Sequence, residues 1–267
     1  MKKLLTIAGS DSSGGAGIQA DLKTFSALGA YGMSCITALT AQNTKGVTAV
    51  MNADPPMVTA QLEAVYDDIP PDAVKTGMLS TAPIVTAVSD FLAAHKGAPL
   101  VVDPVMVSTS GSILLEEDAV AAVREALIPL AALITPNMPE AAVLTGHPVE
   151  TASDMRNAAK ALMDLGCAAV LVKGGHRKDD AMDVLYDGRE LWEFPASKID
   201  TKNTHGTGCT LSSALAVMLA RGLSLPEAVG EAKRYLTGAI EGASHDEVGH
   251  GHGPVRHFWQ YPDWGKP

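Results

Sequence analysis

The residues best suited to chemistry lie in the segment Asn203-Thr204-His205-Gly206-Thr207-Gly208-Cys209-Thr210, which leads into an apolar, alanine-rich run at 211–220. This change of composition predicts a loop that enters a buried helix. Gly206 and Gly208 permit a close approach of the backbone to a ligand. The unpaired amides and dipole of a helix N-terminus favour an anion, and the same field is expected to lower the pKa of Cys209. The segment therefore predicts an anion hole that contains a nucleophile or a base.

Neither standard phosphate-binding motif is present. The Walker pattern G-x-x-x-x-G-K-[ST] is absent from the chain, and Gly206-Thr207-Gly208 is followed by Cys209-Thr210-Leu211 rather than by the rest of a dinucleotide fingerprint. A glycine-rich turn before a core helix, with a small buried cysteine, is therefore the structural alternative at this point.

Composition narrows the class of protein. A chain of 267 residues allows one large α/β domain or two small ones, and its content of 46% hydrophobic and only 4% aromatic residues is typical of strands buried on both faces. The net charge of −10 argues against a nucleic-acid or anionic-membrane surface. The three cysteines form no metal or disulfide pattern. No signal peptide or long apolar run is seen, so a cytoplasmic protein is expected.

Strands and helices alternate along the chain. Strands are predicted at 4–8, 34–43, 47–51, 73–78, 99–104, 131–135 and 168–173, with a hairpin at 182–186 and 190–194 around Asp187-Gly188. Helices are predicted at 18–30, 55–66, 82–95, 117–128, 153–165 and 226–243, and the helix that follows the 203–210 motif is predicted to run to about residue 221. The alternation predicts a mostly parallel sheet with helices on both faces. We find no linker or repeat, which predicts a single domain over residues 1–267.

Polar side chains repeatedly follow the predicted strands, at Asp11, Gln42, Asp103, Asn137, Glu140, Lys173 and the 203–209 loop. The carboxyl ends of parallel strands share one edge of a sheet, where open α/β sheets bind ligands. Each residue alone is more often a helix cap or a solvated loop residue, but their shared placement predicts one cleft. Asp11 is expected to contact the ligand from its glycine-rich loop.

The chemistry that this set of side chains favours is phosphoryl transfer. Asp103 and Glu140, with Asn137 nearby, suit Mg²⁺, which prefers oxygen ligands and phosphates. Lys173 precedes two glycines and is placed to approach a nucleotide phosphate. The anion hole at 206–209 would stabilise the phosphoryl group in flight.

The motifs resemble those of the ribokinase-like superfamily and, within it, the hydroxymethylpyrimidine/phosphomethylpyrimidine kinase family. The match extends along the whole chain, in the segments Ala8-Gly9-Ser10-Asp11, 13–24, Ala41-Gln42-Asn43-Thr44, Thr135-Pro136-Asn137-Met138-Pro139-Glu140, Val172-Lys173-Gly174-Gly175-His176, 203–210 and 248–255. The resemblance implies a three-layer αβα fold with a mostly parallel central sheet, often in a homodimer.

The resemblance also implies residue roles. Gln42 aligns with the residue that hydrogen-bonds the aminopyrimidine, in a pocket completed by Gly9, Ala16, Met78 and Val105. Asn137 and Glu140 resemble the Asn-x-x-Glu element that organises Mg²⁺ and phosphate, and Thr204 falls in the nucleotide-side motif. Cys209 occupies the place of the aspartate base of sugar kinases, with Gly206, Thr207 and Gly208 forming the anion hole. This departure from the wider superfamily leaves Cys209 as the best candidate for the base.

The implied reaction is ATP-dependent phosphorylation of 4-amino-5-hydroxymethyl-2-methylpyrimidine and then of its monophosphate, in thiamine biosynthesis. A pyridoxine or pyridoxal kinase is the alternative, because that ring also carries a hydroxymethyl group. A third hypothesis is a sensor that binds a nucleotide or pyrimidine without turnover, but the intact 203–210 motif argues against it.

Overall fold

The protein, described here by a computed structural model, is built around one large sheet. The structure describes residues 1–106, 117–175, 177, 180–261 and 263. Within these residues the sheet has nine strands in the order β3-β2-β1-β4-β5-β6-β7-β8-β9. In chain order they are β1 (Lys3–Asp11), β2 (Tyr31–Asn43), β3 (Gly46–Asn52), β4 (Ala73–Thr76), β5 (Leu100–Val102), β6 (Leu133–Ile134), β7 (Val170–Val172), β8 (Asp183–Tyr186) and β9 (Leu191–Phe194).

The interior strands are parallel and the edges are antiparallel. Strands β2, β1, β4, β5, β6 and β7 pair in parallel, whereas β3 pairs antiparallel with β2, and β8 and β9 form the predicted hairpin at the opposite edge. The sequence prediction of a mostly parallel sheet is therefore confirmed.

Helices cover both faces of the sheet. They are α1 (Gly17–Ala27), α2 (Pro55–Asp68), α3 (Ala82–Ala94), α4 (Glu117–Ala122), α5 (Met138–Thr145), α6 (Ala152–Leu162), α7 (Thr207–Ala220) and α8 (Leu225–Ala243). Successive strand residues point to opposite faces. Val74 accordingly belongs to the core that includes side chains of α2, α3, α5 and α6, and Ala73 to the core beneath α1, α7 and α8. Both faces of the sheet are buried under helices, which explains why the strands are continuously apolar.

Two local elements differ from the sequence prediction. Helix α5 was missed, although Asn137 and Glu140 form a capping box at its start and Gly146 ends it in the left-handed region at φ 74°. The helix predicted at 117–128 is α-helical only to Ala122 and continues as a π turn (Val123–Leu127) and a 3₁₀ turn (Ile128–Leu130). Pro129 has no amide to extend the α-helical ladder.

Among the described residues, no helix is both long enough and apolar enough to cross a membrane. The loops that follow β1, β4, β5, β6 and β7 and the first turn of α7 lie together at the carboxyl edge of the sheet.

Candidate active site

A cavity of about 690 Å³ lies at the carboxyl edge of the sheet. It lies where the chain reverses its direction of winding, since β2 adds to one side of β1 and β4 to the other. Such switch points are the usual ligand sites of open α/β sheets. Every predicted site residue lines this cavity: Gly9, Asp11, Ala16, Gln42, Met78, Asp103, Val105, Asn137, Glu140, Lys173, Thr204, Gly206, Thr207, Gly208 and Cys209. His176, part of one family motif, lies outside the described residues.

Asp11 organises the loop between β1 and α1. Its carboxylate accepts hydrogen bonds from the Ser13 amide (2.8 Å), the Ser13 hydroxyl (2.8 Å) and the amides of Gly15 (3.1 Å) and Ala16 (2.8 Å). Burial alone raises the pKa of Asp11, but hydrogen bonds from His205 and Ser13 outweigh it and hold the pKa below its usual range. Asp11 borders the cavity as predicted, yet its oxygens are used mainly to shape the protein's own loop.

The loop before α7 interlocks with this first loop. His205 Nε2 lies 2.8 Å from Asp11 Oδ2. Gly206 has φ +82°, and a Cβ there would lie 2.0 Å from the carbonyl oxygen of Gly15. Both the backbone angle and the close approach therefore require glycine at position 206. The positions of the two loops depend on each other.

The first turn of α7 presents unpaired amides to the cavity. The Thr210 amide donates to the Gly206 carbonyl at 2.8 Å and so belongs to the helix ladder. Among the described residues, the amides of Gly208 and Cys209 have no hydrogen-bond partner. Free amides at the positive end of a 14-residue helix form an anion site.

The protonation state of Cys209 corrects one sequence prediction. Cys209 is partly exposed to the cavity, but burial raises the pKa of its thiol to about 11, against the attraction of Lys75. The expectation that the helix field lowers this pKa was wrong, because removing the thiolate from water outweighs the dipole. Cys209 is therefore a neutral thiol near pH 7 in this structure.

The opposite side of the cavity forms a narrow slot. Gln42, near the end of β2, has its side-chain oxygen 3.0 Å from the Thr40 hydroxyl and its side-chain nitrogen 3.5 Å from His205 Nε2. Met78 packs so closely on Gly9 that a Cβ at position 9 would lie 2.5 Å from the Cε atom of Met78. The slot therefore has an apolar wall and an amide held at its edge, which suits a flat ring with polar edges.

Charged residues line the side of the cavity that follows β5, β6 and β7. Lys173 Nζ lies 2.7 Å from Asp103 Oδ1 and 3.9 Å from Glu140 Oε2. Burial alone raises the pKa of Asp103, but Lys173 and Lys75 outweigh it and lower that pKa. Burial raises the pKa of Glu140 to about 7. Glu140 Oε2 also accepts from the Asn137 amide at 2.7 Å, and Asn137 Oδ1 accepts from the Glu140 amide at 2.8 Å.

These side chains fit a magnesium ion only in part. Asp103 already accepts hydrogen bonds from Lys173, Thr135 and Ser212, so its oxygens are largely committed to the protein. Within the described ranges, no group of three or more histidine, cysteine or carboxylate side chains is placed to hold a metal. Mg²⁺ often binds through one or two carboxylates together with waters and substrate phosphates. Glu140 is the better placed ligand for that mode.

Two groups of residues in the cavity wall or directly behind it were not predicted from the sequence. The first is the fully buried ion pair between Lys75 and Asp21, with both oxygens of Asp21 2.9 Å from Lys75 Nζ. A lysine inside the short apolar strand β4 was the available signal. The second group extends the cavity beyond Lys173 and has no motif of its own: Ser197, Lys198, Ile199, Leu236, Thr237 and Ile240.

The fold has three layers, αβα, with a mostly parallel sheet in the middle. In one cavity, the free N-terminus of a helix faces a slot that suits a flat ring. This is the architecture of a ribokinase-like small-molecule kinase. A solved structure of this class, the Staphylococcus aureus pyridoxal kinase in complex with AMP-PCP and pyridoxal, matches with a TM-score of 0.88 and 36% identity, covering 98% of this chain and 95% of that one. The chain belongs to the phosphomethylpyrimidine kinase family, whose sequence profile matches residues 11–256.

Two relatives support the same assignment. A hydroxymethylpyrimidine/phosphomethylpyrimidine kinase from Rhizobium meliloti (strain 1021) is 54% identical over 259 residues, covering 96% of this chain and 97% of the relative. The thiamine biosynthesis bifunctional protein ThiED from Geobacter sulfurreducens is 51% identical over 256 residues, covering 96% of this chain and 52% of the relative. These findings confirm the resemblance drawn from the motifs, the αβα fold, the phosphotransferase class and the function of a pyrimidine kinase in thiamine biosynthesis.

Proposed function

We propose that the chain transfers the terminal phosphoryl group of ATP to the hydroxymethyl group of 4-amino-5-hydroxymethyl-2-methylpyrimidine, and then phosphorylates the monophosphate to the diphosphate. The observation that carries this proposal is the shared cavity: the slot at Gln42 and the unpaired amides of Gly208 and Cys209 line the same space. A ring held in the slot directs its hydroxymethyl group to the first turn of α7, where an anion is favoured.

The acceptor is positioned by hydrogen bonding and by shape. The Gln42 amide donates to and accepts from the aminopyrimidine edge, while Gly9, Ala16, Met78 and Val105 enclose the ring. The Thr40 hydroxyl already donates to the oxygen of this amide, so the amide is held in place before the ring arrives. Positioning of this kind is a large part of catalysis in phosphoryl transfer.

Charge on the moving phosphoryl group is stabilised by α7 and Lys173. The amides of Gly206, Gly208 and Cys209 form the anion hole, whereas the amide of Thr207 between them donates to the Thr204 carbonyl at 3.3 Å. Lys173, Asn137 and Thr204 contact the nucleotide phosphates. The thiolate form of Cys209 accepts the proton of the acceptor hydroxyl as the new O–P bond forms and the bond to ADP breaks, so the neutral thiol must first give its own proton to solvent. Because this transition state is loose, the proton moves late, and a thiol with a pKa of about 11 is compatible with the role.

Glu140 would hold Mg²⁺, and Asp103 would contribute mainly through its contact with Lys173. When bound, the ion neutralises charge on the nucleotide phosphates. Asp103 fixes the lysine ammonium group by the contact at 2.7 Å and so sets where that cation meets the phosphates.

The remaining expectations are also proposals. Residues 1–267 form a single domain, since one sheet incorporates strands from Lys3 to Phe194. The enzyme works in the cytoplasm, where ATP is supplied, on free small molecules rather than on nucleic acid or at a membrane.

It forms a homodimer through the exposed apolar face of β2 and β3, where Leu39 and Met51 pair across the strands and are 46% and 63% exposed.

The decisive experiment is a coupled ADP-release assay with each candidate acceptor. Turnover with the pyrimidine alcohol and with its monophosphate is expected, at a higher kcat/KM than with pyridoxal or pyridoxine. A higher kcat/KM for pyridoxal would assign the activity of the Staphylococcus aureus neighbour instead. Binding of the pyrimidine alcohol without ADP release would identify a sensor.

A further inference from the structure

The glycine-rich segment at residues 251–254, which follows α8, takes no direct part in the proposed reaction. It belongs to the 248–255 motif of the sequence and to none of the helices or strands. The structure describes all four of its residues, and none of the four lines the cavity. The segment lies behind the cavity wall instead, between the turn after β2 at Thr44 and the loop before α7 at His205.

The backbone of the 251–254 segment hydrogen-bonds both of these neighbours. The amide of Gly251 donates to the Thr44 hydroxyl at 3.1 Å, and the amide of His252 donates to the Thr44 carbonyl at 2.8 Å. On the other side, the carbonyl of Gly253 accepts from the His205 amide at 3.0 Å. Three consecutive residues therefore connect the turn after β2 to the loop before α7. Because peptide units have a fixed length, they also fix the separation of the two.

Two glycines allow the segment to lie this close to its neighbours. A Cβ at position 251 would lie 2.0 Å from the Thr44 carbonyl oxygen, and a Cβ at position 253 would lie 2.1 Å from Asn203 Oδ1. Ordinary van der Waals contacts of a Cβ begin at 3.4 Å. A methyl group at position 251 would therefore push the segment and the turn apart by about 1 Å, since the atom that it meets belongs to the backbone.

The two neighbours carry the two halves of the proposed site. Thr44 lies two residues after Gln42, which borders the acceptor slot, and His205 lies in the loop that forms the anion hole. Each half is also attached to the loop after β1. The Ser12 hydroxyl hydrogen-bonds the Gln42 backbone at 2.9 Å, and the Asp11 carboxylate contacts the His205 ring at 2.8 Å. The 251–254 segment adds a direct backbone connection from one half to the other.

We propose that the 251–254 segment sets the separation between the acceptor slot and the anion hole, and that Gly251 and Thr44 are positioning residues for phosphoryl transfer. The inference rests on the proposed function, because it takes the slot at Gln42 as the place of the acceptor. Reacting atoms must lie about 3–3.5 Å apart, and a misplacement of about 1 Å can cost on the order of 10²-fold in rate. A connection behind the cavity wall therefore controls the rate without touching either substrate.

The contacts predict an effect on kcat rather than on binding. Ser12 keeps Gln42 attached to the loop after β1, so a ring should still enter the slot when the 251–254 segment is displaced. Lys173 and Asn137, which are proposed to contact the nucleotide, follow β7 and β6 on the other side of the cavity. Loss of the connection should therefore lower kcat more than it raises the KM for the acceptor, and it should leave ATP binding unchanged.

The first test adds one methyl group. Gly251→Ala is compared with Gly230→Ala, at a position on α8 where a Cβ would meet no atom within 4 Å. Circular dichroism and thermal melting establish that both variants are folded. In Gly251→Ala, kcat with the pyrimidine alcohol should fall by about ten- to a hundredfold, with an unchanged Kd for ATP in calorimetry, and Gly230→Ala should keep the wild-type kcat. A folded Gly251→Ala with the wild-type kcat, or with a loss of ATP affinity equal to its loss of kcat, would overturn the proposal.

A second set of variants places no new side chain in a tight space. Thr44→Val removes the hydroxyl that accepts from the Gly251 amide, and Thr44→Ser keeps it. Thr48→Val is the matched control, because the Thr48 hydroxyl donates within the same hairpin, to the Ala41 carbonyl at 3.0 Å. Thr44→Val should lower kcat by about two- to tenfold, as expected for the loss of one hydrogen bond, and Thr44→Ser should restore it. An equal loss in Thr48→Val would identify hairpin stability as the cause and overturn the proposal.

The wild type tests the proposed function separately. If it turns over pyridoxal rather than the pyrimidine alcohol, the proposed acceptor is wrong, and the ratios of variant to wild-type kcat are measured with pyridoxal. A fall in those ratios supports the positioning role whichever ring is the acceptor. Unchanged ratios overturn the positioning role even if the pyrimidine alcohol is the substrate.

Discussion

Asp11 and His205 are separated by 194 positions in the sequence, yet Asp11 Oδ2 and His205 Nε2 lie 2.8 Å apart in the folded chain. The contact joins the loop after the first strand to the loop that enters α7. His205 is in turn 3.5 Å from the Gln42 side chain. One buried carboxylate therefore links the predicted acceptor slot to the anion hole.

Asp11→Asn should destabilise the fold and loosen the site. The amide keeps the size of the side chain but directs a donor at groups that donate themselves, and a lost buried hydrogen-bond network costs about 1–3 kcal/mol. Urea unfolding should show that loss, and kcat should fall because the α7 loop is less well held. Asp67→Asn, at an exposed carboxylate near the end of α2, is the control and should change neither quantity.

The same variant gives a pH test. The folded-state pKa of Asp11 is below its usual range, so its stabilising effect is fully present above the ordinary aspartate pKa of about 3.9 and is lost as pH falls below it. The difference in free energy of unfolding between wild type and Asp11→Asn should shrink as the pH falls below about 4. An equal difference at pH 3 and pH 7 would mean that the negative charge is not the cause.

Gln42→Leu should weaken use of the pyrimidine alcohol while ATP binding stays close to normal. Leucine leaves polar atoms of the buried ring unpaired, at a cost of roughly 1–3 kcal/mol, which corresponds to about a ten- to a hundredfold loss in kcat/KM. Steady-state kinetics measure the first effect and calorimetry the second. A parallel loss of ATP affinity would count against placing Gln42 at the acceptor ring.

Glu140→Gln tests the magnesium role. Glutamine keeps the capping box, because its side-chain oxygen can still accept from the Asn137 amide, and removes only the charge. The variant should stay folded and need more Mg²⁺ for half-maximal rate. Asp154→Asn, which changes the corresponding acid in the exposed capping box of α6, is the matched control. If the Mg²⁺ dependence is unchanged, Glu140 is a helix cap that favours the dipole by about 0.3–1 kcal/mol.

Cys209→Ala separates the thiol from the backbone amide at the same position. A general base contributes about 10²–10⁴-fold, and one anion-hole donor about 10²–10³-fold. Alanine keeps the amide, so kcat should fall by about 10²-fold or more without complete loss. Cys209→Asp, which installs the base of sugar kinases, should be more active than the alanine variant. Turnover by Cys209→Ala at the wild-type rate would reduce Cys209 to a packing residue.

Alkylation gives an independent check on Cys209. Cys209 is partly exposed to the cavity, whereas Cys35 and Cys167 are buried. Reagent should therefore modify Cys209 first and inactivate the enzyme, and bound pyrimidine alcohol should protect it. The same treatment of Cys209→Ala should cause no further loss; if it does, the inactivation arises elsewhere.

Met51→Lys tests the homodimer. A charge in the exposed apolar face of β2 and β3 should shift the protein to a monomer in light scattering after size exclusion. Met57→Lys, at an exposed methionine on α2, is the control and should leave the assembly unchanged. A wild-type monomer, or a Met51→Lys dimer, would place the interface elsewhere or remove it.

The sequence by itself determined the αβα architecture and predicted site residues that all line one cavity. Gln42, Asp103, Asn137 and Lys173 could be predicted as site residues because each lies at the end of a predicted strand. Parallel strands bring their carboxyl ends to one edge of the sheet whatever the details of packing. Helix α5 was missed although its capping box is visible in the sequence. Its eight residues begin soon after the two-residue strand β6, and no helix was predicted between residues 128 and 153.

Only the tertiary structure decided the electrostatics of the site. The direction in which the pKa of Cys209 shifts depends on burial, and α1 and β4, from distant parts of the chain, provide that burial. The same is true of the pairs Asp11–His205 and Lys75–Asp21, since neither spacing is local. Local sequence patterns predict the secondary structure of the backbone, but the charge that a buried side chain carries depends on which atoms surround it in three dimensions.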